Sequence, residues 1–463
     1  MTTPNSDIAP AVELIKSRAA AIQPFYDYYD GRHEFNFSSD KFRNKFGKRL
    51  QKLRENLCRT VVKAPASRLE VIGFQAESED VQKQAWEIWK RSNMPKNAGK
   101  VHREAIKTGD GYVIVWPDAS GKVRIHPQTA ANVAVWRNVD TNAIDRAAKL
   151  WKGSDGRFYL TLYYPDRIEK YISKVKEQKF GEFQPNDFEP RMITGEAFPL
   201  ANPFGQVPVF AFSFDEETDD VSNSLLKDVI PLNDALNKAY ADMYVAQEFN
   251  AIRQRWATGI QFEKDEETGK TINPFDFDSQ LWDGGEGNKS NVGGGFEPKF
   301  GEFADANLEQ MLKIKQETVR DVALVSGIPP SYFNLEQTGQ AISGEALRKI
   351  EARFTAIVQD AQRSFGESWG QAIAFALRIE SNAAANLDLE TQWTDAAPIG
   401  EAETLDNLSK KKNLGWSIEQ LQRDYGLTEK QIKEMAKENA DRQAADMETK
   451  AKFFDGGMTP PLT

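Results

Sequence analysis

Hydrophobic residues recur every three or four positions in several stretches of residues 1–110, and this period predicts amphipathic helices there. One stripe consists of Val12, Ile15, Ala19 and Ile22, and a second is marked by Ala85, Trp86 and Trp89. Between the two stripes, the aromatic run Tyr26–His33 predicts a turn. We therefore expect residues 1–110 to be helical.

From Gly111 to about Phe214 the hydrophobic period falls to two, which is typical of strands. Tyr112–Trp116 and Val123–His126 flank a Pro-Asp dipeptide and a glycine, a spacing that predicts a β-hairpin. Further alternating runs follow at 147–151, 158–164, 168–171 and 202–210. The sequence therefore predicts an antiparallel β region in this part of the chain.

Two long apolar stripes predict helices over about residues 222–256 and 304–325, on either side of a glycine-rich excursion at 257–302. At about 1.5 Å per residue the first helix would reach roughly 50 Å, and Pro231 predicts a kink or a fresh start within it. This order describes an outward arm that runs out along one helix, across a tip and back along the other.

The remainder of the chain is also predicted to be mainly helical. Residues 331–342 form a polar loop, and Ser343 is a natural N-cap for a third long helix that ends near Ile379. A short strand is predicted at Leu387–Thr394, and a charged helical tail is predicted at 400–455.

Length, composition and charge exclude several classes of protein. The 463 residues predict about three domains at roughly 150 residues each. Ten Trp and 28 Phe exclude a chain that is mainly disordered. A protein that coats DNA tightly should be basic, because phosphate neutralisation supplies non-specific affinity. The net charge of −10 excludes that class.

Cys58 is the one cysteine, so an intrachain disulfide is impossible and a reducing compartment is favoured. The N-terminus lacks the pattern of a secretory signal peptide. A run of about 18 apolar residues, which would predict a membrane-spanning helix, is absent from the sequence. We therefore expect a soluble protein made inside the cell, without a membrane partner.

No arrangement of residues predicts catalysis, a cofactor or a metal site. His33, His102 and His126 lie on different predicted elements without metal-ligand spacing, so a structural or surface role is favoured for each. The glycine-rich segment Gly284–Ser290 ends in Lys-Ser, but it lacks the glycine before the lysine, the preceding strand and the following helix of a phosphate-binding loop. The sequence therefore predicts a protein that is not an enzyme.

Several short motifs lie at the joints between the predicted elements. They are Tyr26–His33, Asn56–Phe74, Gly109–Val113, Asn202–Val209, Ile230–Asn237, Ser326–Pro330 and Ser343–Arg348. Each motif alone is weak, but in order and spacing they resemble the portal proteins of tailed bacteriophages, especially those of long-tailed phages. The resemblance extends over about residues 20–440, and its most specific part is Ser-Gly-Glu-Ala-Leu-Arg at 343–348, which opens a long helix.

The resemblance implies an α+β portal-type protomer that forms a ring, usually of twelve subunits. Its parts are a mixed α/β wing, a long-helix stem, a small α/β clip, a kinked long helix and a helical crown. Carried onto this sequence, they become a wing at 1–221, stem helices at 222–256 and 304–325, a clip at 257–303, a segment at 326–398 with the tunnel loop, long wing helix and wing strand, and a crown at 399–463.

Two groups of site residues follow from the resemblance. The polar tunnel loop would face DNA through Asn334, Glu336, Gln337, Thr338 and Gln340. The clip would contact neighbouring subunits through Phe275, Phe277, Leu281, Trp282 and Phe296. An ordinary exposed loop is the alternative for the first group, and burial within one subunit is the alternative for the apolar stripes of the stem and of the Ser343 helix.

The resemblance also implies a conduit at one capsid vertex through which double-stranded DNA is packaged, retained and ejected. Expected partners are other copies of the chain, DNA without sequence preference, the large terminase subunit, a head–tail connector protein, and the major capsid and scaffolding proteins. Expected locations are the virion and, during assembly, the host cytoplasm. The alternatives are a non-portal structural or scaffold protein of a virion and a packaging ATPase, which the missing phosphate loop disfavours.

Overall fold

The computed structural model describes residues 6–33, 54–176, 184–217, 222–251, 255–258, 299–302, 307–334, 344–381, 387–397, 401–425, 427, 431–432, 434–442, 445 and 447. The chain divides into two compact units. The first consists of Met1–Thr338 and Ile357–Trp393, and the second of Gly339–Ala356 and Thr394–Thr463.

Helices and strands alternate irregularly along the described residues. The helices are α1 (Ile8–Asp30), α2 (Cys58–Ala66), α3 (Glu79–Arg91), α4 (Met94–Thr108), α5 (Val229–Ala251), α6 (Leu308–Ser326), α7 (Gly344–Ser381), α8 (Glu401–Asn413) and α9 (Ile418–Asp424). The strands are β1 (Val71–Gln75), β2 (Asp110–Pro117), β3 (Val123–Gln128), β4 (Val133–Arg137), β5 (Ile144–Lys152), β6 (Phe158–Tyr163), β7 (Arg167–Ser173), β8 (Phe188–Pro190), β9 (Leu200–Ala201), β10 (Val209–Ser213), β11 (Arg255–Thr258), β12 (Lys299–Glu302) and β13 (Glu390–Trp393).

All the strand pairs found among these residues are antiparallel, which confirms the predicted α+β class. The largest sheet has the order β4-β5-β6-β7-β8, with β9 also paired to β7, and a three-stranded sheet has the order β10-β2-β3. The predicted hairpin is confirmed, because Ile114 pairs with His126 and Trp116 with Arg124.

Helix α1 covers one face of the large sheet. Its residues Ile8, Val12 and Ile15 are buried against the inward side chains of β5 and β6, including Leu150 and Leu160. The three- and four-residue spacing in the helix meets the two-residue spacing in the strands, so both apolar stripes are buried at once. Two turns further along α1, Ile22 belongs to a second core with residues of β2, β4 and β10.

An aromatic cluster joins α7 to α3, α4 and β10. The Trp369 ring centre lies 4.7 Å from that of Trp89 and 4.4 Å from that of Phe212. The His102 ring stacks on Phe365 with centroids 5.4 Å apart. All five side chains are buried, and burying one large apolar side chain stabilises a fold by about 1.5–3 kcal/mol.

Three local predictions are wrong. Residues Tyr26–Asp30 continue α1 instead of forming a turn, and the helix ends where Gly31 adopts a left-handed φ of 72°. The N-terminal region is not wholly helical, because β1 pairs with β13 and buries Val71 and Phe74. The third error is the extent of the first arm helix, which begins at Val229 and ends at Ala251.

The shorter arm helix has a clear physical cause at its start. Pro231 lies in the first turn of α5, where backbone N–H groups have no intrahelical partner and proline therefore removes no bond. The fresh start predicted near this proline is confirmed. At the other end, Trp256 belongs to strand β11 rather than to the helix.

Helices α5 and α6 pack against one another, and the short strands β11 and β12 pair next to them in sequence. Arg255 pairs with Glu302 and Thr258 with Lys299. Between the helices, the Lys315 ammonium lies 4.2 Å from the centre of the Tyr240 ring. The chain thus leaves along α5 and returns along α6, as the helix–excursion–helix pattern predicts.

Candidate functional site

The start of α5 is tied to residues 55–57 by two asparagines on one face of the helix. Asn237 Oδ1 accepts a hydrogen bond from the Glu55 backbone N–H at 3.0 Å, and Asn237 Nδ2 donates to the Glu55 carbonyl at 3.0 Å. One turn earlier, Asn233 Oδ1 accepts from the Leu57 N–H at 3.1 Å. Both asparagines are buried, so they replace backbone pairing at the joint between the arm and the rest of the first unit.

The same joint contains two of the residues that the sequence singled out. The His33 ring stacks on Tyr28 with centroids 4.1 Å apart, and the Tyr28 hydroxyl donates to Asp234 of α5 at 2.7 Å. Burial lowers the pKa of His33, and burial raises the pKa of the Cys58 thiol to about 12. Both groups are therefore neutral at pH 7, which supports a structural role for each.

Replacing Asn237 with Ala is expected to lower the free energy of unfolding by about 1–3 kcal/mol, because the half-buried N–H and C=O of Glu55 lose their side-chain partner. Urea denaturation at fixed protein concentration measures the change. Asn186→Ala is the control, because Asn186 is exposed and such substitutions change stability by about 0.5 kcal/mol or less. Equal midpoints for the two variants would contradict the assigned role of Asn237.

The Gly109–Val113 motif lies where three chain segments cross. A Cβ atom on Gly109 would lie 2.5 Å from the Ser222 carbonyl oxygen, and one on Gly111 would lie 2.8 Å from the Val101 carbonyl oxygen. Between them, Asp110 pairs with Arg18 of α1. At both glycines of the motif, the backbone of another segment comes too close for a side chain. Only glycine is small enough for these two positions.

The Asn202–Val209 motif is organised by its first residue. Asn202 Nδ2 donates to the Tyr164 carbonyl at 3.0 Å and to the Gln206 carbonyl at 2.8 Å. Its Oδ1 accepts from the Phe204 N–H at 3.2 Å. One buried amide thus closes the turn that leads into β10 and holds it against the end of β6.

His102 is a buried structural residue, as the sequence favours. Trp369 donates from Nε1 to His102 Nε2 at 2.9 Å, and His102 Nδ1 lies 3.1 Å from the Leu69 carbonyl oxygen. Because indole can only donate and a carbonyl can only accept, Nδ1 carries the proton and the ring is neutral. Burial lowers the pKa of His102 to about 3. His126, by contrast, is exposed on β3.

The predicted tunnel loop follows a well-anchored turn. Gly327 ends α6 with a left-handed φ of 70°, and Pro330–Phe333 form a 3₁₀ turn. The Tyr332 hydroxyl accepts a hydrogen bond from the Arg68 guanidinium. Asn334, with φ of 54°, is the one predicted tunnel-loop residue within the described part of the chain.

The remaining predicted site residues lie outside the part of the chain that the structure describes. Of the tunnel-loop set, those that lie outside the described residues are Glu336, Gln337, Thr338 and Gln340. The whole predicted clip set also lies outside them, namely Phe275, Phe277, Leu281, Trp282 and Phe296. Both assignments stay predictions.

The charges of α6 are balanced and mostly paired within the helix. It carries three acidic and three basic residues, Glu309, Lys313, Lys315, Glu317, Arg320 and Asp321. Lys313 lies 2.8 Å from Glu309, and Arg320 pairs with Glu317. The helix therefore carries no net charge that would attract a polyanion.

Two other kinds of site are absent from the described ranges. No group of three or more His, Cys, Asp or Glu side chains there could hold a metal ion. No helix in that part of the chain is long and apolar enough to cross a membrane.

Comparison with known proteins decides between the remaining interpretations. The model of the family described as phage portal protein, SPP1 Gp6-like, matches residues 15–445. The chain belongs to the phage portal protein family. The portal proteins of Mycobacterium phages L5 and D29 are 23% and 22% identical to it over 432 residues, covering 87% of this chain and 82% of each relative.

Two solved structures are also similar to this portal family member. The neck of an empty gene transfer agent particle gives a TM-score of 0.48 at 14% identity, covering 85% of this chain and 95% of the other. The neck of the native particle, computed with C12 symmetry, gives a TM-score of 0.45 at 15% identity, covering 84% and 92%.

Within the described residues, the motifs Gly109–Val113, Asn202–Val209 and Ile230–Asn237 lie at structural joints. Ser343, the predicted N-cap, lies outside the described residues. Sequence reasoning missed the roles of Asn202, Asn233 and Asn237, which hold backbone groups rather than a ligand. The spacing of Asn233 and Asn237 could have indicated this. Two asparagines four residues apart lie on one helix face, and beside an apolar stripe such a pair must find buried partners.

Proposed function

We propose that this chain forms a ring at one capsid vertex, through which double-stranded DNA enters during packaging and leaves on infection. The observation that carries the proposal is the match of the portal family over residues 15–445. The helix–strand–strand–helix arm, α5 to α6, supports it because a closed ring needs an element that each subunit can align with its neighbours.

Exposed apolar side chains on α6 support assembly through the arm. Leu312, Ile314, Leu324 and Val325 are 43%, 54%, 68% and 41% exposed, respectively. These side chains are not buried within their own subunit. Contact with a neighbouring subunit is therefore favoured over burial within one subunit for these residues. A neighbouring copy in the ring would bury them, and twelve copies are expected.

The balance of charge suits a conduit better than a tight DNA-binding protein. Twelve chains with −10 each would carry −120 together, whereas DNA carries about one negative charge per 1.7 Å of its axis. A channel wall without net positive charge does not hold the duplex by attraction to its phosphates. The duplex can therefore slide through the channel. The polar, mostly uncharged tunnel loop would make brief contacts that do not depend on sequence.

We expect the protein itself to be a passive, non-enzymatic part of the packaging machine. The large terminase subunit would dock at the clip and supply the energy, and a head–tail connector protein would replace it after packaging. The major capsid and scaffolding proteins would hold the wing. With these partners, the protein would be found in the virion and, during assembly, in the host cytoplasm. A non-portal scaffold protein is the other structural candidate, and no observation on the described residues favours it.

Deleting residues 334–341 tests the conduit role. We expect rings to form as in the wild type, because the deletion leaves the turn at Pro330–Phe333 and helix α7 in the chain, while DNA packaging or retention falls. Electron microscopy measures the rings, and nuclease-protected DNA per particle measures packaging. Replacing the same eight residues with Gly and Ser separates the loss of side chains from the loss of length. Failure of ring assembly in both variants would make the loop architectural.

A further inference from the structure

Helices α2 and α4 are basic, in a chain whose net charge is −10. Together they contain one acid, Glu104, and six basic residues, which are Arg59, Lys63, Lys96, Lys100, Arg103 and Lys107. Helices α3 and α6, by contrast, each contain three acidic and three basic residues. The excess of positive charge is therefore a property of α2 and α4 and not of every helix in the first unit.

On α4 the basic residues form one stripe. Lys96, Lys100, Arg103 and Lys107 recur every three or four positions, so they share one face of the helix. Lys96 and Lys100 are exposed, and Arg103 is half-buried. Like charges four residues apart destabilise a helix, and the dipole disfavours a cation in the first turn, where Lys96 lies. The stripe therefore does not serve the stability of α4 itself.

Helix α2 lies beside α4 and runs in the opposite direction, which brings the basic residues of the two helices together. At one end, the Arg59 guanidinium and the Lys107 ammonium lie 5.4 and 5.3 Å, respectively, from the centre of the Tyr29 ring. Past the other end of α2, the Leu69 carbonyl oxygen lies 3.1 Å from His102 Nδ1, near the middle of α4. We call the six basic side chains of the two helices the basic surface.

Most of the charge on the basic surface is not neutralised by the protein. Four of its cations form no ion pair within the part of the chain that the structure describes, namely Lys63, Lys96, Lys100 and Arg103. The other two have acidic neighbours, because Lys107 lies 2.7 Å from Glu104 and Arg59 lies 3.8 Å from Asp30. Six cations and two acids leave a local net charge of +4.

The basic surface lacks the apolar side chains of a typical protein-docking site. Among the described residues, no exposed large hydrophobic side chain belongs to α2 or α4. Protein partners are usually held by aromatic or aliphatic anchors as well as by charge. A phosphate backbone offers regular negative charge alone. The α4 stripe is about 16 Å long at 1.5 Å per residue, and about five phosphates of one DNA strand occupy that length of duplex.

We propose that the basic surface of α2 and α4 binds the phosphate backbone of double-stranded DNA without sequence preference. The inference rests on the proposed function, which brings DNA to this protein. Arg68, which follows α2, donates to the Tyr332 hydroxyl in the turn before the predicted tunnel loop. One end of the basic surface thus lies near that turn. Because the positive charge is local, the contact is weak and sensitive to salt.

Neutralising the four unpaired cations tests the contact. The variant carries Lys63→Gln, Lys96→Gln, Lys100→Gln and Arg103→Gln, and fluorescence anisotropy measures its binding to a duplex of roughly 30 base pairs between about 50 and 200 mM salt. Each neutralised phosphate contributes about −0.9 to the slope of log affinity against log salt. The variant should therefore have a slope shallower by about 3.6, and at the lowest salt it should bind at least about tenfold more weakly. An unchanged slope, or a wild type that does not bind the duplex, would overturn the proposal.

Two control variants separate local charge from other effects. One removes the same amount of charge at exposed positions elsewhere, through Lys176→Gln, Lys227→Gln, Lys412→Gln and Lys437→Gln. The other keeps the charge of the basic surface, through Lys63→Arg, Lys96→Arg, Lys100→Arg and Arg103→Lys. Both should bind the duplex with the wild-type slope. A loss in the first control equal to that of the test variant would mean that the net charge of the chain matters and the surface does not. A loss in the second would mean that charge is not what holds DNA there.

An acidic protein is the other partner that a basic surface could bind. If polyglutamate of equal charge displaces the labelled duplex as well as unlabelled duplex does, the surface fits an acidic protein and the DNA assignment fails. Native mass spectrometry of the same samples keeps this inference apart from the proposed function. Rings with an unchanged salt slope in the test variant would refute the contact while the ring stands. A wild type that never forms rings would refute the proposed function, whatever the slope.

Discussion

Replacing Gly109 with Ala is expected to lower the free energy of unfolding by about 3 kcal/mol or more, from strain at a left-handed φ together with overpacking. Gly109 has φ of 95°, and an added Cβ would lie 2.5 Å from the Ser222 carbonyl oxygen and 3.0 Å from its carbon. The Gly109 carbonyl also accepts the Phe214 N–H at 2.8 Å. The backbone there cannot shift without breaking the junction between β10 and α4.

Gly121 offers a matched control for this substitution. It has φ of 78°, but no atom lies within 4 Å of where its Cβ would be placed. Gly121→Ala should therefore lower the free energy of unfolding only by the strain of a left-handed φ, about 1 kcal/mol. Thermal and urea denaturation at one protein concentration compare the variants. Equal losses would mean that φ alone matters at Gly109 and that the close approach to Ser222 does not.

Acidification is expected to destabilise the first unit through His102. Its pKa is about 3 in the folded chain and about 6.5 when exposed. The unfolded state therefore takes up the proton first, so the stability from His102 is complete above pH 6.5 and is lost as the pH falls toward 3. At roughly 1.4 kcal/mol per pH unit, the loss at pH 4.5 is on the order of 2–3 kcal/mol.

His102→Gln isolates this effect from the titration of other groups. A glutamine can still donate to the Leu69 carbonyl and accept from Trp369, but it does not titrate. The wild type should be the more stable chain at neutral pH, and its advantage should shrink by about 2 kcal/mol between pH 6.5 and pH 4.5. Urea denaturation at each pH gives the free energy of unfolding of both chains. If the difference between them stays constant over this range, His102 is not buried as a neutral ring.

The sequence predicts those elements whose hydrophobic period is undisturbed. The stripe at Val12, Ile15 and Ile22 gives α1, and the apolar run Tyr112–Trp116 gives β2, of which residues 111–115 are all buried. It fails for β1, whose five residues are too short for a clear period and whose partner β13 lies more than 300 residues away. Such pairing depends on tertiary contacts that no local window contains.

For the candidate site as well, the sequence predicts one part and the structure explains the rest. Family resemblance locates the joints, but it does not indicate why their residues are needed. The structure explains Gly109 by backbone contact, Asn202 by a closed turn and Asn237 by pairing with a peptide group. The contacts of Gly109 and the partners of Asn237 arise between segments far apart in sequence, so spacing can indicate that Asn233 and Asn237 need buried partners but not which groups they bind.

The subunit number of the purified chain tests the central claim most directly. Native mass spectrometry, with electron-microscope class averages of the same sample, measures it. We predict a ring with a central hole and a mass of about 630 kDa, which corresponds to about twelve chains of 52.2 kDa. A chain that stays monomeric, even after scaffolding and major capsid proteins are added, would contradict the ring and with it the conduit.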